Sequence, residues 1–340
     1  MAYPGSNRYE RVMERVIIVG GGLSGCAVAL ELATRGVKVE VLERAIVGAE
    51  ASSAAAGILS PRMEAHGREP FRGYGLESLA MYPAWVARLG DVGFRRCGLL
   101  RVGEKPDVDA EEVDAASIER GLSAARAWWL PEEATVDTRR LVTAVHDAAV
   151  AAGARFRTGA TVRAVHPDAV SLDGERVTGR VVVCAGAWTS RVPGLAGVPV
   201  RPVRGQLCAL QGVALRTVVF GAGGYLVPRH DEVVCGATAE EVEFTRGTTA
   251  GGVRAVLDTA VGLMPALAGA AFDRAWSGFR PGTPDDLPVM GRVDGVWVAS
   301  GHFRNGILLA PLTARWTADA LLDGAELPPA FSPSRFSTLG

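Results

Sequence analysis

The stretch RVIIVGGGLSGCAVALELATRGVKVEVLE, residues 15–43, decides the fold. Residues 15–20 (RVIIVG) form an apolar run between a charge and a glycine, which predicts a buried parallel strand. Residues 24–35 place small and apolar side chains at helical spacing, and Gly36 follows where a glycine commonly ends a helix. Residues 37–42 (VKVEVL) alternate and predict a second strand. The opening is therefore a β-α-β unit.

The turn between the first strand and the helix carries the pattern G-x-G-x-x-G. Gly20 makes the tight turn, Gly22 lets a pyrophosphate approach the backbone, and Gly25 lets the helix pack closely on the strand. Glu43 closes the second strand about twenty residues on, where a carboxylate accepts hydrogen bonds from an adenosine ribose. A purely structural glycine turn does not explain why a carboxylate, Glu43, follows at this spacing from the glycines. The pattern predicts a dinucleotide whose phosphates lie at the helix N-terminus.

The loop that follows the second strand bears on the choice between FAD and NAD. Residues 48–61 (GAEASSAAAGILSP) offer small side chains, backbone N–H groups and the hydroxyls of Ser52 and Ser53. Such a segment lines a long, extended cofactor near its diphosphate and ribityl chain. NAD enzymes do not need it, so it favours FAD. A helix start that merely packs closely is the alternative.

The remainder of the chain contains two kinds of region. Residues 74–131 are charged and helix-like, with the acidic residues 107–119 expected on the surface. We expect the chain to pass from the first domain to the second in this region. Residues 138–152 predict an amphipathic helix. Residues 155–165 and 180–184 predict strands that return to the first sheet.

A second sheet is predicted further along the chain. Residues 199–244 are rich in strand and turn signals and indicate an antiparallel sheet in a second domain, followed by a helical stretch at 251–267. The last segment repeats the strand, glycine and helix order, with a strand at 296–300, Gly301 and a helix over 305–322.

Composition excludes several classes of protein. The chain has 340 residues, 48% of them hydrophobic and 21% charged, which is typical of a globular protein and not of a disordered one. A net charge of -1 leaves no positive surplus for nucleic acid. No segment reaches the roughly 18 apolar residues of a membrane span, and residues 1–15 lack the apolar core of a signal peptide.

Cysteine usage and the known catalytic motifs narrow the choice further. The five cysteines are widely spaced, without a C-x-x-C pair or a histidine at zinc spacing, which predicts free thiols, no metal site and a cytoplasmic location. No Ser-His-Asp set and no Walker loop is visible, so hydrolase and kinase activities lack the residues to carry them.

Six further segments identify a family resemblance. They are SSAAAG (52–57), VVVCAGAW (181–188), PVRGQ (202–206), YLVPR (225–229), WSGFRPGTPD (276–285) and GHFRNGILLAP (301–311). Together with GGGLSG they closely resemble the FAD-dependent D-amino-acid oxidase superfamily, and within it the glycine oxidases of thiamine biosynthesis. The resemblance covers residues 16–336. The last two segments are specific, whereas the glycine motif is shared by many flavoproteins.

The resemblance implies an α/β fold with two domains. One is a doubly wound, Rossmann-type FAD-binding domain assembled from residues 1–80, 136–205 and 275–340. The other is a smaller substrate domain with an antiparallel sheet, formed by residues 81–135 and 206–274. It also implies noncovalent FAD, because the segment where some relatives attach flavin has no cysteine here. The expected cofactor-binding residues are Gly20, Gly22, Leu23, Ser24, Gly25, Glu43, Arg44, Ala51, Ser52, Ala56, Gly57, Ile58, Val162, His302, Phe303, Arg304, Asn305, Gly306, Ile307 and Leu308.

The same resemblance implies the substrate-binding residues. Arg280 is expected to pair bidentately with the substrate carboxylate, and Tyr225 to add a hydroxyl donor. An ion pair of Arg280 with Asp285 or Asp286 is the structural alternative. Arg304 either contacts substrate or braces the flavin loop. His302 is assigned to cofactor contact through its backbone, since family chemistry needs no side-chain base.

The implied activity is oxidation of glycine by hydride transfer to flavin, with oxygen as acceptor, supplying glycine imine or glyoxylate for thiazole synthesis. Sarcosine and D-alanine are possible further substrates, because Ala239 stands where a close relative carries methionine. A sarcosine oxidase, a D-amino-acid dehydrogenase and a non-catalytic FAD-binding subunit are the alternatives. We expect a homo-oligomer, because relatives associate.

Overall fold

The computed structural model describes residues 15–64 and 70–336, so the expectation for the first fourteen residues lies outside the described part of the chain. The strands are β1 (Val16–Val19), β2 (Val39–Leu42), β3 (Ile58–Leu59), β4 (Leu99–Val102), β5 (Glu111–Asp114), β6 (Arg126–Leu130), β7 (Ala134–Thr135), β8 (Arg155–Arg157), β9 (Ala164–His166), β10 (Ala169–Leu172), β11 (Glu175–Thr178), β12 (Arg180–Val183), β13 (Arg201–Gln211), β14 (Val218–Gly221), β15 (Gly224–Pro228), β16 (Glu232–Gly236), β17 (Ala271–Gly282), β18 (Val289–Val293) and β19 (Val296–Ser300). The α-helices are α1 (Leu23–Thr34), α2 (Ala51–Ala54), α3 (Pro61–Glu64), α4 (Phe71–Val86), α5 (Ala115–Ile118), α6 (Thr138–Ala151), α7 (Ala250–Leu263) and α8 (Ala310–Asp323).

The first sheet has six strands in the order β18-β19-β12-β1-β2-β8. The five strands from β19 to β8 are parallel, and β18 is antiparallel at the edge. The side chains of β1 are buried on both faces, as its apolar run predicts. Helices α1, α6 and α8 share one apolar core with one face of this sheet, and a smaller apolar cluster that includes β10 and β11 covers the other. The predicted opening unit is confirmed.

The second sheet has eight strands in the order β17-β13-β16-β15-β14-β4-β6-β5. Its neighbouring strands are antiparallel except for the parallel pair β14 and β4. Alternate side chains of β13, β15 and β16 pack beneath α7. The opposite face of these strands is the one that takes part in the site. The predicted α/β class with an additional, largely antiparallel sheet is confirmed.

Three predictions about local structure are wrong. Residues 74–131 are helical only as far as Val86 and in the short α5, and otherwise supply strands β4 to β6. Residues 155–165 form two separate strands, and β9 joins the small sheet with β10 instead of the first sheet. The last helix begins at Ala310 and not at Asn305. Turns occupy the intervening residues, where Asn305 and Gly306 have low helix propensity.

The division into two domains stays a prediction. Two of the predicted domain boundaries, between residues 205 and 206 and between residues 274 and 275, fall inside the long strands β13 and β17. These two strands pair with each other along almost their whole length. Within residues 15–64 and 70–336, no helix has the length and apolarity needed to cross a membrane.

Candidate active site

A cavity of about 1000 Å³ is lined by residues from both sheets. It contains most of the residues proposed from sequence: Gly20, Gly22, Leu23, Ser24, Glu43, Arg44, Ala51, Ser52, Ala56, Gly57, Ile58, Val162, Tyr225, Arg280, His302, Phe303, Arg304, Gly306 and Ile307. Gly25, Asn305 and Leu308 do not line it. They lie behind its wall, where Leu308 is buried in the core and its carbonyl accepts a hydrogen bond from Ser78 Oγ at 2.7 Å.

The glycine turn closes one end of the cavity. A Cβ at Gly25 would lie 2.0 Å from the Gly20 carbonyl oxygen, so only glycine permits α1 to approach β1 this closely. Gly20 has a φ of 107°, which disfavours any other residue. The N-cap residue of helix α1, Gly22, offers no side-chain acceptor, and Ser52 Oγ accepts the N–H of Leu23 at 2.9 Å. The positive end of α1 therefore faces the cavity.

Glu43 is held rigidly at the end of β2. Its Oε2 accepts the N–H of Gly21 at 2.8 Å, and its Oε1 accepts the N–H of Ala45 at 2.8 Å. A carboxylate oxygen has capacity for more than one donor, so ribose hydroxyls remain compatible with this arrangement. The carboxylate links the glycine turn to the second strand.

Residues 55–57 of the small-residue loop connect α2 to β3 and form a strap along the cavity. Arg229, at the end of the YLVPR segment, donates to the carbonyls of Val136 and Ala56, both at 2.5 Å. Burial lowers the pKa of Arg229, but a guanidinium stays charged near neutral pH. A Cβ at Gly57 would lie 2.1 Å from the Val136 carbonyl oxygen. The strap is thus fixed against β15 by an arginine distant in sequence.

The segment 301–307 contributes backbone to the cavity wall. His302 is buried, and its Nε2 lies 3.0 Å from Thr313 Oγ1. Burial lowers the pKa of His302 to about 4, so the ring is neutral at physiological pH and turned toward α8. Phe303 adopts a φ of 47°, and its N–H donates to the Pro281 carbonyl at 3.0 Å. Cofactor contact through the backbone of His302 stays a prediction.

Arg280 lies flat on the face of the second sheet. On β17 it is in register with Val203 of β13, and a Cβ at nearby Gly205 would come 2.4 Å from its Nη1. Its Nη1 donates to the Thr238 carbonyl at 3.0 Å. Within the described residues no carboxylate lies within 4.0 Å of Arg280, and Asp285 instead pairs with Arg335 at 2.8 Å. In the described part of the chain Arg280 forms neither ion pair of the structural alternative, with Asp285 or with Asp286.

Tyr225 occupies a matching position on β15. It is in register with Gly236 of β16, and a Cβ at Gly236 would lie 2.7 Å from the phenol oxygen. Burial raises the pKa of Tyr225, the positive charges of Arg280 and Arg304 oppose that rise, and the negative charge of Glu64 adds to it. Tyr225 is consequently a protonated hydroxyl donor beside a fixed guanidinium. The pair can hold a carboxylate.

Sequence reasoning missed several cavity residues. Trp188 stacks between Arg44, whose guanidinium carbon is 3.9 Å from its ring centroid, and Phe244, whose ring centroid is 3.8 Å away. Arg62 and Glu64 of α3 also line the cavity. The signals were present: Trp188 ends the VVVCAGAW segment, and α3 follows the small-residue loop directly.

These features fit the FAD that the resemblance implies. The N-terminus of α1, whose N-cap is a glycine, suits a pyrophosphate, the fixed Glu43 suits a ribose, and the glycine-lined strap suits an extended chain. Arg280 and Tyr225 line the same cavity.

Comparisons with known proteins agree with this geometry. The family model described as FAD dependent oxidoreductase (DAO) matches residues 15–320. The bifunctional protein ThiO/ThiG of Synechocystis sp. is 37% identical over 95% of this chain, which spans only 54% of that protein. The glycine oxidase of Geobacillus kaustophilus is 33% identical over 92% of this chain and 93% of its own, and its crystal structure matches with a TM-score of 0.89 over 95% and 99% of the two chains. The iminodiacetate oxidase of Chelativorans sp. BNC1 matches at 27% identity with a TM-score of 0.85, over 94% of this chain and 99% of that one.

Proposed function

Because the chain belongs to the family of FAD-dependent oxidoreductases, we propose that it oxidises glycine, with oxygen and water giving glyoxylate, ammonia and hydrogen peroxide. The observation that carries the proposal is the pair of Arg280 and Tyr225 on the second sheet, which lines the cavity across from the first sheet that carries the glycine turn. A guanidinium without a carboxylate partner among the described residues is placed to receive one from a small ligand.

The residues of this chain position the substrate for the reaction. Arg280 and the hydroxyl of Tyr225 bind its carboxylate, which fixes the orientation of its α-carbon. When bound, FAD supplies the acceptor for the α-carbon hydride and returns the electrons to oxygen. His302 is neutral and turned toward Thr313, so it holds the wall of the cavity and accepts no substrate proton. The imine of glycine hydrolyses or passes to thiazole assembly, as the resemblance implies.

The flavin is proposed to be noncovalent. Of the five free cysteines, all within the described residues, Cys184 is the one that lines the cavity. Burial raises the pKa of Cys184 to about 12, which leaves it without the thiolate that flavin attachment requires. Acid precipitation should release all yellow colour into the supernatant, and colour kept in the pellet would contradict this.

The test of the activity is a substrate panel on purified holoenzyme. Oxygen uptake and peroxide formation are measured with glycine, sarcosine and D-alanine, and we expect glycine to be oxidised, with room for the other two beside Ala239. A sarcosine oxidase would favour sarcosine. A dehydrogenase would turn over only with an artificial electron acceptor, and a non-catalytic subunit would show no turnover with either acceptor.

Two further parts of the proposal concern context. Free thiols at all five cysteines support a reducing, cytoplasmic location. Homo-oligomerisation is proposed by analogy with relatives, and light scattering of the purified protein tests it.

A further inference from the structure

Glu64 is a carboxylate that the proposed chemistry does not use. It belongs to α3, its side chain lines the cavity, and its Oε2 is shielded from solvent. No described residue donates a hydrogen bond to that oxygen or forms an ion pair with the carboxylate. A buried carboxylate oxygen without a donor is unfavourable unless a ligand supplies one.

Glu64 belongs to the part of the cavity near Arg280 and Tyr225, which we call the substrate end. Its neighbour Met63 packs in the same apolar cluster as Tyr225. The charge of Glu64 also acts on the Tyr225 hydroxyl in the sense opposite to Arg280 and Arg304. This end therefore combines positive charge for a carboxylate with one negative charge, which complements an amino acid zwitterion.

The neighbouring charges do not neutralise Glu64. The guanidinium of Arg62 is directed to Glu133, with Nη1 3.1 Å from Oε1. Arg101 lines the same cavity, but it forms no ion pair with Glu64. The charged residues of the nearby loop, Glu104, Lys105 and Asp107, are exposed to solvent. Glu64 thus has one oxygen shielded from solvent and no ion-pair partner among the described residues.

The cavity has room beyond glycine itself. Its lining near Tyr225 includes small residues, namely Gly221, Gly223, Gly224, Ala237 and Ala239. A substituent on the substrate nitrogen would fit beside these small residues. Its charge would interact with Glu64, because this end of the cavity is partly removed from water.

We propose that Glu64 selects substrates by the charge at their amine end. The enzyme then accepts glycine and N-substituted glycines with a neutral or cationic substituent, and it rejects those with a second carboxylate. The inference rests on the proposed amine oxidation. It predicts a substrate choice different from that of the solved structure named for iminodiacetate, a dicarboxylate.

The test compares sarcosine, whose N-methyl group is neutral, with iminodiacetate, whose N-carboxymethyl group is negative. Wild-type holoenzyme should show a kcat/KM for sarcosine at least about 100-fold above that for iminodiacetate. Glu64→Gln should lower this ratio at least about tenfold by a gain with iminodiacetate. Glu104→Gln, the same substitution on the exposed loop, should leave the ratio unchanged. An unchanged ratio in Glu64→Gln, or a wild-type enzyme that oxidises both amines equally well, would overturn the proposal.

A binding measurement separates failure of this inference from failure of the proposed function. If neither amine is oxidised, the proposed function fails, while the charge preference is still measured by titrating holoenzyme with acetate and malonate and following flavin absorbance. Wild type should bind acetate and exclude malonate, and Glu64→Gln and Glu64→Ala should both narrow the difference. Equal binding of both acids by wild type, binding of neither, or no change in the two variants would contradict the role of Glu64.

Discussion

The two ends of the cavity are built in different ways. At the cofactor end, the geometry comes from turns within short stretches of chain: the glycine turn and the strap between α2 and β3. At the substrate end, the geometry comes from strand register. Arg280 lies over Gly205 of β13, and Tyr225 lies over Gly236 of β16. The first end depends on local backbone conformation, and the second on residues far apart in sequence.

This difference gives glycine two distinct roles. Gly20 and Gly25 are required because backbone meets backbone, and the Gly20 carbonyl has no alternative position without moving β1. Gly205 and Gly236 are required because a long side chain lies on the strand, and a side chain can shift at lower cost. Substitutions at the cofactor end should therefore affect folding and flavin content, and those at the substrate end should affect substrate binding.

The largest effect is expected for Gly25→Ala. The new Cβ would lie 2.0 Å from the Gly20 carbonyl oxygen, and relief requires α1 to move away from β1. Overpacking typically costs about 1–3 kcal/mol, and we expect the upper part of that range because backbone meets backbone, with a lower Tm and loss of bound flavin. Gly73→Ala is the matched control, since its Cβ would meet nothing within 4 Å in α4. A Gly25→Ala protein with wild-type Tm and flavin content would show that the cofactor end does not depend on close backbone contact at glycine.

The two ends also differ in how far the sequence predicts them. The glycine turn, Glu43 and the strap follow from a contiguous pattern, because local turns are encoded by neighbouring residues. Arg280 and Tyr225 were found through resemblance to a family. Residue type alone left Arg280 open to a structural ion pair. Their supports, Gly205 and Gly236, depend on strand pairing that no local pattern encodes.

The late start of α8 illustrates the same limit on prediction. Apolar spacing over residues 305–322 indicates one helix, but residues before Ala310 form turns held by tertiary contacts. Tyr82 Oη donates to the Ile307 carbonyl at 2.5 Å, and Ser78 Oγ donates to that of Leu308. Both donors belong to α4, more than 200 positions away, which explains why the sequence pattern did not indicate the turn.

Arg280→Ala tests the substrate end at its strongest point. A charge-assisted carboxylate pair in a partly desolvated site contributes about 2–4 kcal/mol, so KM for the amino acid should rise roughly 30- to 1000-fold. The flavin spectrum should stay close to wild type, because Arg280 is placed at the substrate end. Arg274→Ala on the same strand is the control, since Arg274 pairs with Glu232 at 2.7 Å and does not line the cavity. Wild-type KM, or loss of flavin, would return Arg280 to a structural role.

His302 makes the wall of the cavity sensitive to acid. Its pKa in the folded protein is about 4, below the ordinary value of 6.5, so the unfolded chain takes up the proton first as pH falls. Stability is therefore complete above pH 6.5 and declines as pH falls toward 4, by about 2 kcal/mol between pH 7 and pH 5. His302→Gln should remove this part of the pH dependence of the free energy of unfolding. His230→Gln should retain it, because the His230 side chain is 84% exposed. Equal pH dependence in wild type and His302→Gln would be the contrary result.

The smallest effect is expected for Gly236→Ala, which tests whether strand register positions Tyr225. The new Cβ would lie 2.7 Å from the phenol, and the ring can tilt away without moving β16. The displaced hydroxyl should weaken carboxylate binding by about 1.4 kcal/mol, a roughly tenfold rise in KM, with Tm and flavin content near wild type. Gly262→Ala, whose Cβ would meet nothing within 4 Å in α7, should leave KM unchanged. A double-mutant cycle with Tyr225→Phe gives the decisive comparison. Once the hydroxyl is gone, Gly236→Ala has little further to displace, so the two effects on KM should be less than additive. Full additivity would mean that Gly236 acts on the site by a route other than Tyr225.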